Sequence, residues 1–266
     1  MNNCRKAEKM KQERFGISEK ILKIIAMITM LVDHIAIGFL YHYWDGQGAD
    51  MIGWFTNGYI LTYRIMRLIG RMAFPLYCFM LVEGFIHTHN IKKYIGRLAV
   101  LAVVSEVPFD MAIYHRINIH SNNVVWTLLL GLIAISVMYH ISESGFKAIG
   151  DNVSMSVINY YMAPVAACFI AYFCRTDYGF LGVACIVLMY IMNLERKMNP
   201  LISYVLVVVI LAIGSSWTEI AALIGMIPIA LYNGKRGESS ELFRAFSYLF
   251  YPLHLGVIAL IVRLCL

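Results

Sequence analysis

Asp33 and His34 stand side by side in ITMLVDHIAIGF, residues 28–39, a stretch that is otherwise apolar. An ionisable side chain at the centre of a membrane-crossing helix costs about 2.5–3.5 kcal/mol even on an insertion scale. Such groups face protein and serve a partner or a reaction. Imidazole is the side chain best suited to act as a general base near neutral pH, and a carboxylate can orient its ring. Neighbouring residues project about 100° apart round a helix, so this pair does not share one face. A buried histidine bonded to an adjacent helix is the alternative reading. Arg64, Arg67 and Arg71 recur at i, i+3 and i+7 and form one stripe. Arg64 and Arg67 are expected to snorkel outward. Arg71, deeper, needs a carboxylate or a substrate carbonyl, and Pro75 just beyond it frees a backbone carbonyl. Glu106 and Asp110, one turn apart around Pro108, are expected to pair with Arg71 or to attract an amine. Trp126, Asp177 in CRTDYG and His254 in FYPLHL map to the same mid-depth to outer level.

A second polar set lies toward the opposite end, in HTHNIKKYIGR. His87, His89, Asn90, Lys92, Lys93 and Arg97 could hold the phosphates of a cytosolic cofactor, or act only as a basic membrane anchor. His87 and His89 have no third ligand near them, and no metal is expected.

The elements that position these groups follow from composition. The chain of 266 residues is 60% hydrophobic and 14% charged, with a mean hydropathy of +0.69. A water-soluble domain is about half apolar and about a quarter charged. The expected fold class is therefore all-α: a polytopic transmembrane helical bundle of about nine spans. They are read at Ile21–Tyr43, Ile65–Ile86, Tyr94–Tyr114, Val124–Ile141, Val157–Phe173, Tyr178–Asn193, Leu201–Gly214, Ile220–Tyr232 and Ala245–Val262. The seventh and eighth are short enough to be thin crossings or a re-entrant pair. Residues 44–62 are expected to be a water-exposed loop. No cleavable signal peptide is read at the N-terminus, so the first apolar segment is expected to remain as a helix.

Lys and Arg cluster in alternate connections: Arg5, Lys6, Lys9, Lys11, Arg14, Lys20 and Lys23; Lys92, Lys93 and Arg97; Lys147; Arg196 and Lys197; Lys235, Arg236 and Arg244. That places 16 of 22 basic residues on one side and the N-terminus in the cytoplasm of a multi-pass inner-membrane protein. Residues 1–20 form a basic cytoplasmic arm, and 21–266 a single transmembrane domain. The net charge of +6 fits loops on an anionic leaflet and not nucleic-acid binding. The six cysteines lack any CxxC pair and read as small core residues.

Three segments carry a family resemblance: LKIIAMITMLVDH (22–34), LIGRMAFPLYCFMLVEGFIHTHNIKKYIGRL (68–98) and FSYLFYPLHLGVIALI (246–261). They resemble the TraX family, which is associated with acetylating the N-terminus of conjugative pilin. Integral-membrane O-acyltransferases offer a more distant similarity, with an arginine eleven positions before a histidine in their first span; here the pair is Lys23 and His34. The resemblance implies acyl transfer from cytosolic acetyl-CoA, or a longer acyl-CoA, to a peptide N-terminus, small amine or hydroxyl. In that scheme His34 is the catalytic base, Asp33 its orienter and Arg71 an oxyanion donor. Glu106, Asp110, Trp126, Asp177 and His254 receive the acceptor. His87, Asn90, Lys92, Lys93 and Arg97 hold the donor. The alternative expectation is a proton-coupled secondary transporter with an Asp33–His34 site.

Overall fold

The computed structural model describes residues 16–41, 53–143 and 153–265. Arg5, Lys6, Lys9, Lys11, Arg14 and Lys147 lie outside the described residues. Among those described, the chain forms ten helices and no strand. They are α1 (Glu19–Leu40), α2 (Gly53–Gly70), α3 (Ala73–His87), α4 (Ile91–Ile113), α5 (Val124–Glu143), α6 (Val153–Phe173), α7 (Gly179–Glu195), α8 (Pro200–Gly214), α9 (Trp217–Ala230) and α10 (Glu241–Cys265). Four stretches are long and apolar enough to cross a membrane: Glu19–Leu40, Gly58–His87, Val124–Glu143 and Glu241–Cys265. Together with the shorter apolar helices they make this a multi-pass membrane protein.

Burial follows the membrane rule. Val100, Val103, Val104 and Val107 of α4 and Leu249, Leu253, Val257 and Leu260 of α10 are exposed, at the three- and four-residue steps of one helix face. Asp110, Asn123, Thr127, Glu219 and His254 are buried. Water would favour the reverse arrangement; hydrocarbon around the bundle favours this one. At the centre is α3, apolar all round, with ten of its fifteen residues buried. It touches α1, α5, α7, α8 and α9.

One expectation is corrected, and one is located. Residues 53–62, read as part of a water-exposed loop, belong to α2. No proline stops the helix there, and the Thr62 hydroxyl donates back to the Gly58 carbonyl at 2.9 Å instead of drawing the backbone out of the helix. The opening expected before Pro75 falls at Arg71–Met72, within the stretch Gly58–His87. Pro75 has no N–H, and its ring crowds the carbonyl four residues back, that of Arg71.

The short seventh and eighth segments reach further than their lengths suggest. The first nine residues of α9, Trp217–Gly225, are a 3₁₀ helix. At about 2.0 Å per residue, plus a final α-helical turn, α9 extends about 25 Å; α8 extends about 22 Å. The hydrocarbon core is about 30 Å thick.

Immediately after His34, α1 loosens into a π-turn at Ala36–Leu40. Gly38 in that turn admits α4: a Cβ there would lie 2.8 Å from the Ala112 carbonyl oxygen and 2.9 Å from an Ile258 methyl. Gly38→Ala is therefore expected to destabilise the protein by about 1–3 kcal/mol through overpacking. Gly96→Ala, with nothing within 4 Å, should leave stability unchanged or raise it by up to about 1 kcal/mol. Thermal midpoints in detergent check both.

Candidate active site

The break between α2 and α3 places Arg71 where three elements meet. Its Nη1 donates to Glu219 Oε1 of α9 at 2.7 Å, and its Nη2 to Asp33 Oδ1 of α1 at 3.3 Å. Arg67, one turn earlier, donates from Nη1 to the other oxygen, Asp33 Oδ2, at 2.5 Å. Gly70 permits the approach, since a Cβ there would fall 2.2 Å from Asp33 Oδ1. The expected partners of Arg71 were Glu106 and Asp110; the structure supplies Asp33 and Glu219 instead. The reason is that Glu106 is already occupied. It accepts from the Trp126 indole at 2.9 Å, the Asn123 backbone N–H at 3.3 Å and the Asn123 side-chain amide. Asn123 then caps the start of α5 by accepting from Val125 N–H at 3.0 Å. Asp110 accepts from Asn118 N–H at 2.8 Å. These two carboxylates therefore hold the α4–α5 connection.

Because Asp33 is clamped toward α2, His34 turns about 100° away toward α10. Its Nδ1 lies 2.6 Å from His254 Nε2, and His254 Nδ1 lies 2.6 Å from the Phe250 carbonyl oxygen. A carbonyl can only accept, so the hydrogen-bond network assigns the protons. His254 carries hydrogen on Nδ1 and offers Nε2 as acceptor. His34 in turn donates from Nδ1, and its Nε2 keeps the lone pair. Among the described residues nothing bonds that Nε2. The Tyr251 ring packs beside His34, centroids 5.8 Å apart. Asp33 is thus not the direct orienter of His34, and His254 stands behind the imidazole.

This histidine lines one cavity, and a second cavity adjoins that one. One, of about 230 Å³, is lined by His34, Asp33, Arg67, Arg71, Glu219 and Asp177, with Tyr178 and Phe74 among its walls. The Tyr178 ring stacks on Phe74 at 3.8 Å between centroids. Tyr178 and Arg175 adopt left-handed backbone in the turn CRTDYG, at φ 61° and 48°. That conformation is uncommon for residues with a Cβ and recurs at functional sites. The turn is held by Asp177 N–H donating to the Asn122 carbonyl at 2.9 Å, and by Thr127 donating to Thr176 Oγ1 at 2.9 Å.

The other cavity, of about 570 Å³, runs inward from Lys23, His87, Arg97, Arg236 and Arg244 at the basic end to Tyr77 and Met30. From the level of His87 to that of Tyr77 is ten residues of α3, about 15 Å. Met80, Leu81, Leu98 and Leu101 give it an apolar throat. The two cavities share Met30, Tyr77, Val124 and Leu128 as a common wall. Met30 lies one turn before His34 on α1.

Of the sequence candidates, Asp33, His34, Arg71 and Asp177 share the smaller chamber, and His87 and Arg97 line the larger cavity. Glu106, Asp110 and Trp126 are not lining residues of the chamber. Neither Lys92, Lys93 nor Asn90 lines the larger cavity; the Asn90 side chain caps α4 by accepting from Lys93 N–H at 2.9 Å. Sequence reasoning missed Glu219, whose only signal is a single acid inside the apolar segment WTEIAALIG. It also counted Arg236 and Arg244 merely as positive-inside charges.

A family model, described as TraX protein, matches residues 18–262. The chain is also 30% identical over 258 residues to a protein of Dichelobacter nodosus described as "Probable fimbrial assembly protein FimC, serogroup H1". That alignment covers 89% of this chain and 92% of the relative. No solved structure matches. With nearly its whole length matched, and with the residues that form both cavities inside the matched region, the chain belongs to the TraX family.

Proposed function

We propose that this protein is an acyltransferase that moves an acetyl or longer acyl group from acyl-CoA to an amine across the centre of the bundle. One observation carries the reading: a histidine whose tautomer is set by a second histidine lines a chamber that shares a wall with the basic cavity. The larger cavity suits the donor. Arg97, Arg236 and Arg244 at its mouth match phosphate groups, and its apolar throat matches a pantetheine arm and a short acyl chain. Donor binding thus moves from Lys92 and Lys93 to the arginines. The smaller chamber suits the acceptor. Two further observations support a pilin-associated role with a peptide N-terminus as acceptor: the association of the TraX family with pilin acetylation, and the relative's description as a fimbrial assembly protein. The basic mouth would face the cytoplasm, where acyl-CoA is made, in the inner membrane.

In the reaction, His34 Nε2 takes a proton from the acceptor amine. The nitrogen bonds to the acyl carbon as the carbon–sulfur bond breaks, and His34 returns the proton to the leaving thiolate. His254 accepts the Nδ1 hydrogen throughout and so holds the ring. Arg71, committed to two carboxylates, positions Asp33 and Glu219; an oxyanion role for it gains no support from these contacts. Proton-coupled transport through an Asp33–His34 pair gains none either, because Asp33 is engaged by Arg67 and Arg71.

Purified protein should consume acetyl-CoA only when an amine acceptor is present. His34→Ala should lower kcat by about 10²–10⁴-fold with an unchanged thermal midpoint. Full activity in that variant would end the mechanism. His254→Ala should cause a smaller loss in kcat. Replacing Arg97, Arg236 and Arg244 together by alanine should raise KM for acyl-CoA and leave kcat and KM for the acceptor unchanged. Steady-state kinetics in detergent check all three.

A further inference from the structure

We propose that Glu219 binds the ammonium group of the acceptor and makes the site select a primary amine over a hydroxyl. This rests on the acyl-transfer reading above. Glu219 is fully buried, at 0% exposure, yet lines the chamber that contains His34. Its Oε1 is taken by Arg71, while Oε2 has no hydrogen-bond partner among the described residues. A buried charged oxygen left unbonded costs about 1–3 kcal/mol or more.

The sequence around it, Ser216-Trp217-Thr218-Glu219, has the form of a capping box, in which the glutamate turns back to the first N–H of its own helix. Here the box is half made. Ser216 Oγ accepts from Thr218 N–H at 3.3 Å, but the Glu219 carboxylate reaches Arg71 instead. Helix capping therefore does not account for this side chain.

The other acids that line the chamber are paired or exposed. Both Asp33 oxygens are held by Arg67 and Arg71. Asp177 Oδ1 accepts from Tyr178 N–H at 3.0 Å, and the residue is exposed, unlike Glu219. Glu106 and Asp110 serve the α4–α5 connection and are not lining residues of the chamber. The charged lining comprises Arg67 and Arg71 against Asp33, Asp177 and Glu219, one carboxylate in excess. A single cation would balance it, and Glu219 Oε2 is the fully buried carboxylate oxygen of that lining with no partner among the described residues.

An ammonium donates a charge-assisted hydrogen bond to that oxygen, and a hydroxyl donates a weaker, neutral one. Transfer of one ammonium proton to His34 Nε2 then leaves a neutral amine still hydrogen-bonded to Glu219. That amine is the nucleophile. As its nitrogen bonds to the acyl carbon and the carbon–sulfur bond breaks, His34 returns its proton to the thiolate. The nitrogen passes a second proton to Glu219 Oε2, which releases it to water with the product.

Two experiments test the proposal on purified full-length protein. The first uses Glu219→Gln, which retains an oxygen for Arg71. It should raise KM for a peptide amine about 10–100-fold, the scale of one lost charged hydrogen bond, and leave KM for acetyl-CoA unchanged. The preference for the peptide over its α-hydroxy analogue should fall by the same factor. The second needs no variant: calorimetry of wild type with the peptide and with its des-amino analogue, which should bind at least about tenfold more weakly. Unchanged amine KM in an active Glu219→Gln protein, or equal binding of the two peptides, overturns the assignment. Wild type that transfers no acyl group to any amine, while binding the peptide through its amino group, overturns the acyl-transfer reading and leaves the amine site standing.

Discussion

A guanidinium enclosed by apolar helices must be met by carboxylates, and Arg71 takes them from two helices far apart in sequence. Asp33 comes from α1 and Glu219 from α9, 186 positions later. Burying such a set is expensive, and removing one member leaves an uncompensated charge at a cost of about 3–5 kcal/mol. The arrangement therefore contributes registry more than net stability. It fixes where α9 sits against the break between α2 and α3. It also fixes which way Asp33 points, and hence which way its neighbour points. With Asp33 turned to the arginines, His34 is turned to α10 and meets His254. The orientation of the proposed base thus follows from an ion pair on the other side of the same helix, and its tautomer from the Phe250 carbonyl behind His254.

The same constraint shapes the cavities. The helix break that places Arg71 also begins α3, whose Phe74 and Tyr77 line the chamber; Tyr77 belongs as well to the wall shared with the basic cavity. A donor entering from the arginine-lined mouth and an acceptor held among the carboxylates would meet at Met30, Tyr77, Val124 and Leu128. Neither substrate would need to cross the whole bundle. The π-turn just beyond His34 lies beside this junction, and a wider turn of this type at a reacting group is a recurrent feature of helices.

Much of this was legible in the residue pattern. An acid and an imidazole in apolar ITMLVDHIAIGF could only face protein, and His34, Asp33, Arg71 and Asp177 do line one chamber. The pairing was not legible. Periodicity gives each polar residue a face and a depth but not a rotation relative to other helices, so Glu106 and Asp110 were as eligible for Arg71 as Asp33. Glu219 was missed because the eighth span was read from Ile220, whereas the 3₁₀ helix begins at Trp217 and takes Glu219 into the bundle. His254 was placed at the right depth but assigned to the acceptor, because sequence cannot show that its lone pair meets His34. The α2 helix was read as loop over 53–62 because its polar residues resemble a connection when their internal hydrogen bonds are not visible. The arginines 236 and 244 looked like topology signals, and only the fold of the α9–α10 connection brings them to a cavity mouth.

Donor and acceptor are proposed to meet where the chamber lined by His34 shares its wall with the basic cavity. The most direct measurement is a cryo-electron-microscopy structure in lipid nanodiscs with a non-hydrolysable thioether analogue of acetyl-CoA. The expected result is phosphates against Arg97, Arg236 and Arg244, the pantetheine arm along the Met80–Leu101 throat, and the acyl carbon facing the chamber. An acceptor nitrogen set ~3.5 Å from that carbon, the distance of a near-attack arrangement, should then lie in hydrogen-bond reach of His34 Nε2. An analogue bound outside this cavity, or with its acyl carbon turned away from His34, would contradict it.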